Sequence, residues 1–267
     1  MHIIITGGSS GIGAAVAEIE TQRGAKVSIV ARREEPLRGL RVQILARDPS
    51  AQIHTCAADV TDAAALANAI ETCEKAFGPC DRLIAAAGIV EPGELISQDM
   101  ESFRSQVETN LFGTVNAVRA VYSGMVQRQS GQIVILSSGS GLIGIHGYTA
   151  YCASKHALAG FAEALRQEAK PNGIAISICF PPDTDTQQLA AELPLRSPAA
   201  AAIIGNARPW PADRVARLIV KGADRGRFGI YPGLRMTLLG RFGALVAPVL
   251  RWYFDRKIAS VRRSRDD

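Results

Sequence analysis

Residues 2–24 read HIIITGGSSGIGAAVAEIETQRG. The opening HIIIT is an apolar run suited to a strand buried on both faces. GGSSGIG follows at once, and then AAVAEIETQRG, whose apolar residues recur with helical spacing up to Gly24, a natural helix stop. Strand, glycine-rich turn and helix in this order make an anion cradle. The glycines let the backbone approach a pyrophosphate, and the helix N-terminus offers it unpaired N–H groups and partial positive charge. A glycine-rich turn alone is a weak signal; the strand before it and the helix after it give it weight. Thr6, Gly7, Ser9, Ser10, Gly11, Ile12 and Gly13 are therefore candidate dinucleotide contacts.

The alternation continues along the chain. KVSIVARR (26–33) reads as a second strand, 35–48 as a helix, AQIHTCAADV (51–60) as a third strand, and TDAAALANAIETCEKAFG (61–78) as a capped amphipathic helix. DRLIAAAG (81–88) is the fourth strand, and a long helical stretch over 101–129 carries Asn110. GQIVILSS (131–138) is the fifth strand, TAYCASKHALAGFAEALRQEAK (149–170) a helix, and GIAISICFPPDTDT (173–186) the sixth strand and its exit loop. Strands alternating with helices imply a doubly wound parallel α/β sheet in a single domain. The expected division is a binding and catalytic core over 1–192, a substrate lid and the end of the core over 193–233, and a basic amphipathic C-terminal extension over 234–267.

The second strand ends in Arg32 and Arg33 where an acidic residue would suit a ribose 2′-hydroxyl. Guanidinium groups there can pair with a 2′-phosphate, which favours NADPH. Asp59 and Val60 end the third strand, where an adenine edge could be contacted.

Ser138 stands thirteen positions before Tyr151, and Lys155 four after it. Residues four apart in a helix share a face. An ammonium beside a phenol lowers the phenol's pKa, so Tyr151 is expected to exchange a proton near neutral pH. Ser138 would present its hydroxyl at the sheet rim, while strand alternation turns Ser137, the competing serine, to the other face. His146 reads as a loop histidine.

With 47% hydrophobic residues in 267, the chain can bury a substantial core. Five scattered cysteines with no C-x-x-C pair argue for a reducing compartment and against a disulfide framework or zinc site. MHIIITGG has no secretory pattern, so a cytoplasmic protein is expected. Residues 205–267 hold 14 Lys and Arg against 5 Asp and Glu, a balance of +9, while the remainder stands at −4. The segment LRMTLLGRFGALVAPVLRWYF (234–254) is apolar but broken by Arg235, Arg241, Pro248 and Arg251. It is too interrupted to span a bilayer, and its basic, aromatic character suits peripheral contact with a membrane's cytoplasmic face. A subunit-interface or lid helix is the competing account. Nucleic acid is not favoured, because no stacking aromatics are interleaved with the basic residues.

Together these pieces resemble the short-chain dehydrogenase/reductase family, over roughly residues 2–190. The matching residues are Thr6-Gly7-Gly8-Ser9-Ser10-Gly11-Ile12-Gly13, Asp59-Val60, and Asn110, Ser138, Tyr151 and Lys155. The resemblance implies a Rossmann-type fold and hydride transfer between a nicotinamide and a carbonyl. It assigns Tyr151 as proton donor, Ser138 as hydrogen-bond donor to the carbonyl oxygen, Lys155 as partner of Tyr151 and the nicotinamide ribose, and Asn110 as holder of a water in a proton relay. It adds Ala87, Gly88, Pro181, Thr184 and Thr186 as cofactor contacts, no metal, and a homodimer or homotetramer. Ala85-Ala86-Ala87-Gly88 departs from the family's Asn-Asn-Ala-Gly, which should loosen a sheet contact more than alter chemistry. Pro182 replaces the usual Gly. The segment Pro181-Pro182-Asp183-Thr184-Asp185-Thr186, the run 147–171 and the tail WYFDRKIASVRR look like the 3-ketodihydrosphingosine reductase subfamily. That likeness implies a long-chain keto-lipid substrate reduced with NADPH. The alternatives are a reductase of another bulky lipid or steroid-like ketone, and a non-catalytic NADP-binding regulator; the intact Ser138, Tyr151 and Lys155 argue against the regulator.

Overall fold

The computed structural model describes residues 1–205 and 208–266, so Asp267, the last residue of the expected extension, lies outside the described residues. The chain runs β1 (His2–Thr6), α1 (Gly11–Gln22), β2 (Lys26–Ala31), α2 (Glu34–Arg47), β3 (Ile53–Ala57), α3 (Ala63–Phe77), β4 (Arg82–Ala85), α4 (Met100–Val107), α5 (Gly113–Arg128), β5 (Gly131–Leu136), α6 (Thr149–Ala169) and β6 (Ile174–Cys179). It continues through β7 (Thr184–Asp185), α7 (Gln187–Glu192), α8 (Pro198–Ile204), β8 (Trp210–Pro211), α9 (Ala212–Asp224), β9 (Gly229–Ile230) and α10 (Leu234–Asp266).

The main sheet has the order β3-β2-β1-β4-β5-β6-β9, and every pairing in it is parallel. Alternate residues of one strand feed two cores. Ile4 packs with Leu66 and Ile70 of α3, Val121 of α5 and Leu158 of α6. Ile3 and Ile5 pack on the other face with Val16 of α1, Leu37 of α2 and Ile219 of α9. Such strands carry apolar side chains on both faces, which is why they read as continuous runs. The order reverses between β1 and β4, so a crevice opens at the carboxyl ends of those strands.

The sheet has seven strands where the sequence suggested six. The seventh, β9, is two residues long, and it is held by Ile178 N donating to Phe228 O (2.7 Å) and Phe180 N donating to Ile230 O (3.0 Å). So short a run, one of its two residues a glycine, carries no periodicity of its own; its strand state is imposed by β6.

At the opposite end of the sheet from the crevice, Arg82 is buried at the start of β4. Its guanidinium donates to Glu20 Oε1 of α1 (2.8 Å), Asp224 Oδ1 of α9 (2.8 Å) and Gln132 Oε1 of β5 (2.6 Å). Burial pushes the Glu20 carboxyl up despite Arg82 and Arg23 beside it. Burial works the same way on Asp224, but hydrogen bonds from Arg82 and Arg23 outweigh it and hold that carboxyl below its ordinary range. Removing the guanidinium strands Glu20, which is fully buried. Arg82→Met should cost roughly 3–5 kcal/mol in equilibrium chemical denaturation; a loss below about 1 kcal/mol would show the cluster to be dispensable.

Candidate active site

The crevice is built from strand ends. Gly7, just past β1, has φ +67, and a Cβ there would lie 2.6 Å from the Ala87 main chain. A Cβ at Gly13 would collide with the Gly7 carbonyl oxygen. Both positions thus require glycine, and the turn is pressed onto the exit of β4. Ser10 precedes α1 in extended conformation, no side chain among the described residues caps the helix, and its first turn holds no acidic residue. Its leading N–H groups stay free for an anion. Thr186 caps α7 by accepting from Leu189 N (3.1 Å), and its methyl group approaches Gly11. Thr184 is buried and its hydroxyl is spent on Pro182 O (2.8 Å). Of these two threonines, only Thr186 borders the glycine turn.

Arg32 and Arg33 are both exposed past β2. Arg32 Nη1 lies 3.9 Å from Asp59 Oδ2, while Asp59 Oδ1 accepts from Thr61 N and Oγ1 (2.9 Å each). Val60 is buried and its carbonyl accepts from Asn116 Nδ2 (2.9 Å). This end of the crevice has Arg32 and Arg33 at its rim with the Asp59 carboxylate facing Arg32.

The other end is a ring of hydrogen bonds around α6. Ser137 Oγ donates to Lys155 O (2.9 Å), and Lys155 Nζ donates to Leu136 O (3.1 Å). Ser137 is therefore turned inward as strand alternation requires, and Ser138 faces the site. Ser138 Oγ accepts from Ser140 N (3.2 Å) and hydrogen-bonds the Tyr151 hydroxyl. Lys155 Nζ sits 5.6 Å from the centre of the Tyr151 ring. Gly88 keeps this corner open: a Cβ there would stand 3.0 Å from Asn110 Oδ1 and 3.2 Å from Lys155 Nζ.

Asn110 is fully buried in a single π-helical turn, Glu108–Phe112, inserted between α4 and α5. Its Nδ2 donates to Ile89 O and Ser154 Oγ (3.0 Å each), and its Oδ1 accepts from Ile89 N (2.8 Å). Ser154 Oγ donates in turn to Tyr151 O (2.8 Å). Both amide N–H groups are committed, so a water held by Asn110 must use a spare lone pair on one of its oxygens. His146 is a loop residue, with Nδ1 3.2 Å from Ser197 Oγ.

The electrostatics differ from the expected ones. Desolvation pushes the Tyr151 phenol up, against the hydrogen bond from Ser138; the charges of Glu192 and Asp183 push it further up. Burial also moves the Lys155 ammonium down to about 8. The ammonium is still mostly charged at neutral pH, but desolvation of the phenol is the larger effect, and a lowered phenol pKa does not emerge. In this chain Tyr151 stays protonated at neutral pH, which suits it to give a proton to a reduced carbonyl oxygen.

A pattern described as short chain dehydrogenase matches residues 1–194. The chain belongs to the short-chain dehydrogenase family. It is an oxidoreductase, and the family and fold imply a nicotinamide cofactor. The chain is 34% identical over 251 residues to 3-ketodihydrosphingosine reductase of Bos taurus, covering 93% of this chain and 76% of that one. It is 38% identical over 232 residues to a 3-dehydrosphinganine reductase of Arabidopsis thaliana, covering 86% and 69%. Among solved structures, levodione reductase superposes with a TM-score of 0.78 at 24% identity, over 86% of this chain and 95% of that one, a likeness of fold.

The residues present fit the cofactor: a glycine turn with no room for side chains, an uncapped helix N-terminus, and a lysine with N–H groups beyond the one given to Leu136 O. The sequence did not single out Tyr148, Glu192, Arg196 or Ser154. The four-residue spacing of Glu192 and Arg196 was the available signal for that pair.

Tyr151→Phe removes the phenolic proton beside Ser138 and Lys155 while keeping the ring. Binding of the reduced nicotinamide cofactor, followed by fluorescence, should persist within about threefold, and turnover should fall at least ~10³-fold, the scale of a lost general acid and its oriented hydrogen bond. Comparable turnover in mutant and parent would sink the assignment.

Proposed function

We propose that this enzyme reduces the 3-keto group of 3-ketosphinganine to sphinganine with NADPH. The observation that carries this reading is the reach of the likeness: it extends over 93% of the chain to a relative bearing that activity's name, well beyond the family core that ends at residue 194. When bound, the cofactor supplies a hydride to the carbonyl carbon. Tyr151 gives its proton to the carbonyl oxygen, and Ser138 turns its single O–H from Tyr151 to that oxygen as negative charge develops. Lys155 holds the nicotinamide ribose and, while protonated, favours the phenolate left behind. Asn110 fixes the β4 exit loop and, through Ser154, the backbone of Tyr151. The glycine turn, α1 and Thr186 would hold the pyrophosphate, Ala87, Gly88 and Pro181 would border the nicotinamide half, and Asp59 and Val60 would contact the adenine. Arg32 and Arg33 would take the 2′-phosphate: both are exposed, and among the described residues Arg32 forms an ion pair with Asp59 alone, at 3.9 Å.

The substrate is a membrane lipid, and α10 supplies a surface for it. Leu234, Leu238, Phe242, Leu245, Val249 and Trp252 are all exposed, at spacings of 4, 4, 3, 4 and 3. Leu234 and Leu238 share a face before the kink at Phe242, where φ is −125 and ψ 16, and Leu245, Val249 and Trp252 share a face after it. Arg256 stacks over Trp252 (4.3 Å) and Lys257 over Tyr253 (5.6 Å), aromatic and cationic neighbours suited to an anionic interface. No helix among the described residues is long and apolar enough to cross a membrane. Lipid phosphates would meet Arg241, Arg251 and Arg256 of this helix with opposite charge. The enzyme thus works at the surface of an anionic membrane.

The test is NADPH oxidation with 3-ketosphinganine, a steroid ketone and a short β-ketoacyl ester. The sphingoid ketone should give the highest kcat/KM, and Arg32→Ala should raise the KM for NADPH by roughly tenfold with little change for NADH. A preference for the steroid or the ester would replace this reading. On vesicles containing anionic lipid, the full chain should float, and the Leu245→Glu, Val249→Glu variant should remain in solution. Equal flotation would remove α10 as the anchor.

A further inference from the structure

A second polar cluster stands beside the catalytic tyrosine, and the reaction as described leaves it unused. Tyr148 is 2% exposed, and its ring meets that of Tyr151 edge to face with centres 6.3 Å apart. Its hydroxyl donates to Glu192 Oε1 at 2.6 Å. Arg196 donates to the same oxygen through Nε (2.9 Å) and Nη2 (2.7 Å), and its Nη1 donates to Asp183 Oδ2 (2.7 Å). Three donors thus converge on one oxygen of Glu192, and no donor among the described residues reaches Oε2. The Glu192 side chain is only 11% exposed.

The charges do not balance. Asp183 and Glu192 share one guanidinium, which leaves one net negative charge against Tyr148 and Tyr151. Lys155, the nearest other cation on α6, lies over the Tyr151 ring and gives one N–H to Leu136 O, and among the described residues it forms no ion pair with either carboxylate. A desolvated carboxylate with an open oxygen calls for a cation. The field of both carboxylates reaches Tyr151, whose phenol they push up.

The substrate supplies that cation. In 3-ketosphinganine the carbon next to the carbonyl carries an ammonium group, so seating the carbonyl oxygen on Tyr151 sets a positive charge two bonds from the reacting carbon. We propose that Glu192 Oε2 is the subsite for the substrate's ammonium, with Tyr148 and Arg196 holding the carboxylate in place and Asp183 holding Arg196. This rests on the substrate reading above. A neutral ketone of the same length leaves the carboxylate unpaired, so the cluster makes the enzyme selective for amino ketones and sets their chirality relative to Tyr151.

The experiment compares kcat/KM for 3-ketosphinganine and for its N-acetyl derivative, which keeps chain and ketone but carries no charge. The parent should prefer the amine by roughly ten- to a hundredfold, the range for a charge-assisted hydrogen bond. Glu192→Gln should erase most of that ratio, and Glu192→Asp should restore part of it. A structural role would lower both substrates together and leave the ratio intact, which overturns the subsite. The unmodified enzyme gives a second measurement that needs no variant. Sphinganine should inhibit at least tenfold more strongly than N-acetylsphinganine, and equal inhibition overturns the subsite too. A parent that reduces neither ketone but turns over a steroid overturns the substrate reading itself, and the subsite with it. That result is distinguishable from a parent that reduces both long-chain ketones equally, where the subsite alone fails.

Discussion

Two hydrogen bonds tie the end of β5 to the middle of α6: Ser137 Oγ to Lys155 O, and Lys155 Nζ to Leu136 O. They run in opposite directions between a strand and a helix that share little else so close to the crevice. Each uses a group that burial would otherwise leave unpaired at a cost of about 1–3 kcal/mol. Together they set the height of α6 against the sheet. Ser138, one residue beyond the clamp, and Tyr151, one turn before Lys155, are brought within hydrogen-bonding reach by it. The clamp also explains why two adjacent serines have different fates: one is consumed in aligning the helix, and the other is free to face a ligand.

Burial shapes the chemistry in a way that pairwise reasoning about Tyr151 and Lys155 does not anticipate. A lysine one helical turn from a tyrosine suggests a depressed phenol. In the folded chain both groups are desolvated, and desolvation favours the neutral form of each. The phenol moves up and the ammonium moves down to about 8. The site is poised with its proton on the tyrosine, the resting state that reduction of a carbonyl needs. The carboxylates of Asp183 and Glu192 add to the same bias.

Most of the fold was legible because it rests on local patterns. Ile3 to Ile5 announce a doubly buried strand, Asp62 caps α3 through Ala64 N and Ala65 N as its sequence suggests, and α6 starts at Thr149 as the spacing of Tyr151 and Lys155 requires. The features that escaped the sequence depend on partners far along the chain. Gly229 and Ile230 become a strand only because β6 offers an edge. Asn110 looks like one polar residue within a long helix, and only packing against Ile89 and Ser154 shows why the helix loosens into a π turn there. The ion cluster around Arg196 joins residues from 148 to 196, and in sequence it shows only as an unremarkable Glu and Arg four apart.

Met236, in the first turns of α10, packs its sulfur 3.1 Å from where a Cβ on Gly139 would be, and Gly139 directly follows Ser138. The long helix therefore starts as a wall of the reaction chamber and ends as an outward-facing surface. Whatever shifts the seat of that helix shifts the turn that aims the serine. Shortened forms that lose the start of α10 will accordingly behave as catalytic variants, because the segment removed also seats the turn that follows Ser138.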